Sequence, residues 1–294
     1  MTKTAFLAIV GRPNVGKSTL LNTVCGEKIA IVSNKPQTTR NRITGIYTKG
    51  EDQFVFLDTP GIHKPRTALG DYMVKTANGS IGEADAILLV IEPVPSVGDI
   101  EAGILEKIRA SKTPAILVVN KVDEHTPADI AATIAAYAAV YDFAAVVPIS
   151  AKSGKGVDAL LEEASKLLYE SVWYFPEDAV TDQPERQIAA EIIREKLLRT
   201  LNKEIPHGTA VVIEEFKEEK NIIRIRAEIF CEKASHKGII VGKNGAALKL
   251  VGTYAREDLE KFLGTKVYLN LWVKVKENWR ESAATVGNFG YRDE

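Results

Sequence analysis

The sequence predicts two modules in series, a doubly wound α/β domain on a mainly parallel sheet and then a compact α+β module. Three observations carry this. Up to about residue 170, continuous apolar runs alternate with helical patterns, as strands buried on both faces do with their crossover helices. Between the first run and the first helical pattern, Gly11-Arg12-Pro13-Asn14-Val15-Gly16-Lys17-Ser18 fits G-x-x-x-x-G-K-[ST]. Beyond residue 185 the order becomes α-β-β-α-α-β. A chain of 294 residues is long for one domain and comfortable for two.

Phe6 to Val10 is the first strand, and Ser18 to Val24 can continue as a helix. Gly26 to Arg40 is polar and aperiodic, so it reads as a loop. Arg42 to Tyr47 and Gln53 to Leu57, joined by Lys49-Gly50-Glu51-Asp52, suggest an antiparallel hairpin. A long polar loop follows Asp58-Thr59-Pro60-Gly61. Ala86 to Ile91, Ala115 to Val119 and, more weakly, Val146 to Ile149 are further buried strands. Helical patterns at roughly 69–81, 99–110, 127–140 and 157–169 separate them. The spacing predicts a first domain over 1–170, a linker with aromatic anchors over 171–184, and a second module with a tail over 185–294. In that module Arg186 to Leu201 is an amphipathic helix, and Ala210 to Phe216 and Ile222 to Phe230 are strands. A glycine-punctuated helical stretch runs from Lys233 to Leu263, and Val267 to Val275 alternates like a last strand.

Composition narrows the class. Net charge is −1, which excludes a protein that coats nucleic acid by overall basicity. From Lys233 to Arg280, however, 10 Lys/Arg stand against 4 Asp/Glu, whereas 18 stand against 22 before residue 185. Phosphate contacts need such a local excess, although the same charges also suit a solvated face. Two cysteines, Cys25 and Cys231, make no disulfide framework, and a reducing, cytoplasmic setting is expected. Neither a signal peptide nor an apolar run near membrane-spanning length is present.

The Gly11–Ser18 loop can wrap a phosphate, because its glycines admit the anion and its N–H groups point inward at a helix N-terminus. Gly11, Asn14, Val15, Gly16, Lys17, Ser18 and Thr19 are therefore nucleotide-binding candidates. Lys17 is placed on the β- and γ-phosphates and Ser18 on Mg²⁺. Asp58 ends a strand, where it can hold Mg²⁺ through water, and the Gly61 N–H can meet a γ-phosphate. Thr39 can close over the metal from its loop. Asn120-Lys121-Val122-Asp123 ends another strand. A carboxylate there can accept from N1–H and the 2-amino group of guanine, a donor pair that adenine lacks. Ser150-Ala151-Lys152 suits backbone contact with guanine O6. Each tetrapeptide alone is a weak signal, since Asn and Asp after strands are common turn formers. Their order and strand-end positions together point to one ligand site.

These motifs resemble those of the translation-factor-related GTPases. Gln37-Thr38-Thr39-Arg40-Asn41-Arg42, with Asp58-Thr59-Pro60-Gly61-Ile62-His63, is similar to the Era family of bacterial GTPases, which carry a C-terminal KH domain. The resemblance covers nearly the whole chain. It implies a P-loop GTPase domain followed by a type II KH domain, with GTP or GDP and Mg²⁺ as ligands. Its implied partners are the 3′ end of 16S rRNA and the 30S subunit during assembly. It also implies a monomer, and a peripheral membrane contact for which the sequence offers no anchor. Ile62 stands where many small GTPases orient water with a glutamine, so another catalytic device is implied beside Lys17, Thr39 and Gly61. Asn14 is the candidate, through a K⁺ held as in related GTPases; the alternative is an asparagine that only stabilises the turn. His63 and Arg40 are weaker candidates, since loop residues of these types are usually just solvated.

Gly242-Lys243-Asn244-Gly245 resembles the G-x-x-G loop of a KH domain, whose glycines let a single strand approach and clamp about four nucleotides. A helix cap followed by a new helix looks similar. Lys237, Gly238, Ile239, Ile240, Gly242, Lys243, Asn244 and Gly245 are the RNA-binding candidates, with Ile239, Ile240 and the alternating strand near Val267 able to form an apolar groove for unstacked bases, Arg280 in the tail and Trp279 as a packing residue.

Overall fold

The structure is a computed structural model that describes residues 1–202 and 204–292. It divides into two compact units, the first made of Met1–Ala30, Thr39–Lys64 and Met73–Asp182.

In the first unit, among the described residues, the sheet order is β2-β3-β1-β4-β5-β6. These are β1 (Lys3–Val10), β2 (Ile43–Lys49), β3 (Asp52–Asp58), β4 (Ala86–Ile91), β5 (Ala115–Val119) and β6 (Ala145–Pro148). All neighbours run parallel except the β2–β3 hairpin. The hairpin register runs to Lys49↔Asp52, so the connection shrinks to Gly50-Glu51, with Gly50 at φ 63 supplying the left-handed turn. Strand alternation sorts the core. Ala5, Leu7 and Ile9 of β1 pack in one cluster with α1 (Lys17–Cys25) and α5 (Val157–Ser165). Ala8 and Val10 pack on the other face with α2 (Ala68–Glu83), α3 (Asp99–Ser111) and α4 (Pro127–Ala138). β4 is buried along its whole length, which is why it reads as a continuous apolar run rather than an alternating one.

The expected helix 157–169 stops at Ser165, and Tyr169–Glu170 instead form β7, antiparallel to Lys3 and Thr4 of β1. The following segment is held to the sheet through Gln53, which is fully buried on β3. Its amide donates to Phe175 O at 2.9 Å and accepts from Tyr174 N–H at 3.0 Å and Phe175 N–H at 3.1 Å. The Thr181 hydroxyl donates to Thr44 O at 2.6 Å.

The second unit comprises Ile31–Thr38, Pro65–Tyr72 and Gln183–Glu294. Its sheet has the order β10-β9-β8, from β8 (Ala210–Glu219), β9 (Ile222–Cys231) and β10 (Lys266–Val275), with β10 parallel to β9. The β8–β9 hairpin runs on through Glu218 and Glu219 to a turn at Lys220-Asn221, tighter than charge alone suggests, because Ile223 and Ile225 keep their side of β9 in the core. α6 (Glu185–Thr200), α7 (Ala234–Val241) and α8 (Ala246–Leu263) cover one face of this sheet. α9 (Ala283–Asn288) lies in the tail, and Trp279 is fully buried, donating from Nε1 to Gly208 O at 2.9 Å. Within this unit α6 grips the 31–38 segment. The fully buried Glu195 accepts from Val32 N–H at 3.1 Å and from Arg199 at 3.0 Å, and Arg194 donates to Thr38 O.

Candidate functional site

The phosphate-loop residues lie between the carboxyl end of β1 and the start of α1. Two glycines are demanded by close approach. A Cβ on Gly11 would sit 2.3 Å from Val90 O, and one on Gly16 2.2 Å from Asn120 Nδ2. Asn14 takes φ 66 at an exposed position, a conformation that asparagine tolerates better than most residues. Lys17 is buried, and its ammonium donates to Gly11 O at 3.1 Å and Arg12 O at 2.8 Å. Thr19 is half-buried in the first turn of α1.

Three expected metal-side residues meet. The Ser18 hydroxyl donates to Asp58 Oδ2 at 2.6 Å and lies 2.8 Å from Thr39 Oγ1. Burial pushes the Asp58 carboxyl up to about 6, with Lys17 pulling the other way, and burial pushes the Lys17 ammonium down to about 8 against the pull of Asp58. Asp58 Oδ1 is buried without a hydrogen-bond partner. A hard divalent cation with oxygen ligands fits this set, because it would satisfy that oxygen and restore the charged carboxylate. Gly61 abuts the loop so closely that a Cβ would lie 2.7 Å from Pro13 Cα. Ile62 turns into the apolar cluster under the sheet, and His63 Nδ1 lies 2.9 Å from Gly61 O. Arg40, expected in solvent, is buried instead.

The base-side segments are tied to the phosphate loop by Asn120, whose amide donates to Val15 O at 2.8 Å and accepts from Ala151 N–H at 2.9 Å. Both ends of this side chain are occupied by protein, which makes it a brace between loops. Asp123 is exposed, and a hydrogen bond from Ser150, then one from its own backbone, hold its carboxyl below the usual range; the charges of Lys152 and His125 act the same way. Ser150 is buried and Lys152 exposed. Thr23 donates from its hydroxyl to Ala151 O at 2.7 Å, joining α1 to the same loop.

In the second unit the G-x-x-G residues link α7 to α8. Gly242, Asn244 and Gly245 have φ of 73, 52 and 80, and a Cβ on Gly242 would press on Ala247 at 2.7 Å. Lys243, Asn244, Lys237 and Gly238 are exposed, and Ile239 is 52% exposed. Two expectations need correction. Ile240 is fully buried in the core of the unit, one residue round the helix from Ile239, and cannot line a groove. Arg280 gives both Nε and Nη2 to the carboxylate of Glu232, at 3.0 and 2.7 Å, so its charge is already neutralised.

A family model described as "50S ribosome-binding GTPase" matches residues 6–121, and one described as "KH domain" matches residues 204–280. The chain is 51% identical over 293 residues to the GTPase Era of Clostridium kluyveri, covering 99% of this chain and 100% of that protein. The chain belongs to the Era family of GTPases. To the Era of Clostridioides difficile strain 630 it is 52% identical over the full length of both. The fold is similar to a crystal structure of Era in complex with MgGDPNP and nucleotides 1506–1542 of 16S ribosomal RNA, at TM-score 0.95, 41% identity and 99% coverage of each chain. An Aquifex aeolicus Era variant bound to GDP and AlF4⁻ matches at TM-score 0.94 and 40% identity, with 99% of each chain covered.

The structure adds charged residues beside the candidate site that sequence reasoning missed. Arg12 of the phosphate loop pairs through Nε with the buried Glu101 of α3 at 2.6 Å and lies 3.7 Å from Glu92. Glu92 also pairs with Lys121 of the base-side segment. Glu92 thus bridges the two loops. Its place just past β4 was the available signal, because ligands of such sheets gather at carboxyl ends of strands.

Proposed function

We propose that the chain is a GTP-driven switch that binds single-stranded 16S rRNA near its 3′ end and assists assembly of the small ribosomal subunit. The convergence of Lys17, Ser18, Thr39 and Asp58 at the ends of β1 and β3 carries the first half of this reading. The Era relative solved with Mg-GDPNP and 16S RNA supports the second.

In this reading Lys17 neutralises charge on the β,γ-phosphates while water attacks the γ-phosphorus and GDP leaves as phosphate forms. Gly61 N–H and the loop amides from Gly11 to Thr19 hold the phosphate oxygens. Ser18 and Thr39, with Asp58 through water, would hold Mg²⁺, which would supply positive charge to the phosphates. Asp123, kept ionised by Ser150, selects guanine, and Lys121, Ser150, Ala151 and Lys152 frame the base. Ile62 cannot orient water, and a K⁺ held at Asn14, supplying charge as an arginine finger does, is the proposed catalytic device. Lys237, Gly238, Ile239, Gly242, Lys243, Asn244 and Gly245 bind the RNA strand. The division runs as a GTPase domain over 1–170, a linker over 171–184 and a KH module over 185–294. A monomer in the cytoplasm, meeting the membrane at most peripherally, completes the proposal; among the described residues no helix is long and apolar enough to cross a membrane.

The test measures affinity for the 16S 3′ strand with GDP and with a non-hydrolysable GTP analogue, and turnover with and without RNA. Linkage requires that whatever factor GTP adds to RNA affinity, RNA adds to GTP affinity. Equal RNA affinities with RNA-independent turnover would reduce the nucleotide to a structural ligand. Binding to 50S rather than 30S particles would overturn the choice of subunit.

A further inference from the structure

The second sheet has a face that the G-x-x-G loop does not use. Along β10, Val267, Leu269, Leu271 and Val273 pack toward the helices. By alternation Tyr268, Asn270, Trp272 and Lys274 line the opposite face. The register sets Arg224 beside Tyr268, Arg226 beside Asn270 and Glu228 beside Trp272. Tyr268 is 51% exposed and Trp272 59%, and no described aromatic ring is more exposed than Trp272. The Arg224 guanidinium lies 5.3 Å from the centre of the Tyr268 ring.

The tail covers only one end of this face. Phe230 stacks on Phe289 at 4.5 Å, and Phe289 meets the buried Trp279 edge-on at 5.3 Å. The Tyr268–Trp272 end has no such cover from the described chain. Charge separates across the sheet. β8 carries Glu214, Glu215, Glu218 and Glu219 against Lys217, whereas β10 carries Lys266 and Lys274 and no acid. The acids that approach the basic side are engaged, Glu219 by Arg224 at 3.2 Å and Glu228 by Lys274. β10 is also an edge strand, hydrogen-bonded among the described residues only to β9, and its other face packs against α7 and α8, which flank the G-x-x-G loop.

We infer that this face is a second platform for single-stranded RNA, on which Trp272 and Tyr268 stack bases of a strand that leaves the G-x-x-G groove and crosses the edge of β10. Arg226, exposed on β9, draws its phosphates. Exposed rings beside guanidinium groups on an open sheet are the chemistry of sequence-tolerant base stacking. The acidic β8 side bounds the path. This inference rests on the RNA-binding reading above.

The test uses fluorescence anisotropy at one salt concentration with two unstructured oligoribonucleotides sharing the 16S 3′ sequence. One has about six nucleotides, enough for the groove, and one about eighteen, enough for both surfaces. Trp272→Ala and Tyr268→Ala should each weaken the long RNA roughly 5- to 150-fold, the loss expected for one stacked base, and leave the short RNA unchanged. Trp272→Phe should recover most of the loss. The double variant Lys243→Asp, Asn244→Asp should weaken both lengths. If only that loop variant matters, the platform is overturned while the groove reading stands. If Trp272→Ala weakens both lengths equally, the ring acts on the groove and the platform is again overturned. If neither set of variants matters, both readings fall.

Discussion

The proposed nucleotide site and the G-x-x-G loop are built on opposite principles. The first gathers Lys17, Ser18, Thr39, Asp58 and Asn120, buries most of them, bonds Ser18 to Thr39 and Asp58, and ties Lys17 and Asn120 to loop carbonyls. The second is four consecutive residues held by left-handed backbone, with Lys243 and Asn244 in solvent. The difference teaches where function costs stability. A buried carboxylate and ammonium with displaced titration are strained until ligand satisfies them, whereas an exposed loop stores almost nothing.

The sharpest way to break this comparison is Asp58→Asn. Magnesium-dependent turnover should fall by at least about 10²-fold, as for lost transition-state charge stabilisation. The ligand-free variant should nevertheless melt no lower than the unmodified protein. A rise of the Asp58 carboxyl from 3.8 to about 6 corresponds to about 3 kcal/mol of burial cost, to order of magnitude. The sign follows from the raised value. Stability from protonated Asp58 is present below its unfolded pKa of 3.8 and lost as pH rises through about 6. Lys17, lowered from 10.5 to about 8, contributes stability above 10.5 that is lost as pH falls through about 8. Both groups are therefore charged and most costly between about 6 and 8. A large drop in melting temperature for Asp58→Asn would mean the site is not strained. Mg²⁺-dependent GTP binding should likewise weaken as pH drops below about 6, read by calorimetry.

Next in size is base choice. Asp123→Asn should shift preference from GTP to xanthosine triphosphate by several kcal/mol, roughly 10⁴-fold in relative affinity. The exposed carboxylate means that melting should barely change. Unaltered selectivity would detach guanine recognition from this residue.

The loop variant Lys243→Asp, Asn244→Asp sharpens the contrast from the other side. RNA affinity should fall with GDP affinity untouched, and folding stability should stay within about 0.5 kcal/mol, as for exposed surface changes. Unfolding of that variant would contradict a loop held by backbone alone.

The smallest effect belongs to Arg280→Ala. Because Glu232 already holds the guanidinium, RNA affinity should change less than about twofold, while stability falls by about 1 kcal/mol. A strong loss of RNA binding, seen by anisotropy, would restore Arg280 as a contact.

By itself the sequence determined the alternating order of the first unit, because strands buried on both faces must be apolar throughout, as Ala86–Ile91 is. It also determined the positions of Gly11–Ser18, Asp58, Asn120–Asp123 and Ser150–Lys152, since each is a local motif at a strand end. Local pattern could not tell Ile239 from Ile240, because which of two adjacent helical residues faces the core depends on what packs against the helix. It could not show that Arg280 is spent on Glu232, that Glu92 bridges Arg12 and Lys121, or that Gln53 draws residues 174 and 175 onto the sheet. Those partners lie from 29 to 122 residues apart along the chain, from Lys121 and Glu92 at 29 to Gln53 and Phe175 at 122. Polar side chains choose partners by three-dimensional proximity and by the cost of remaining unpaired when buried, and the tertiary structure alone decides both.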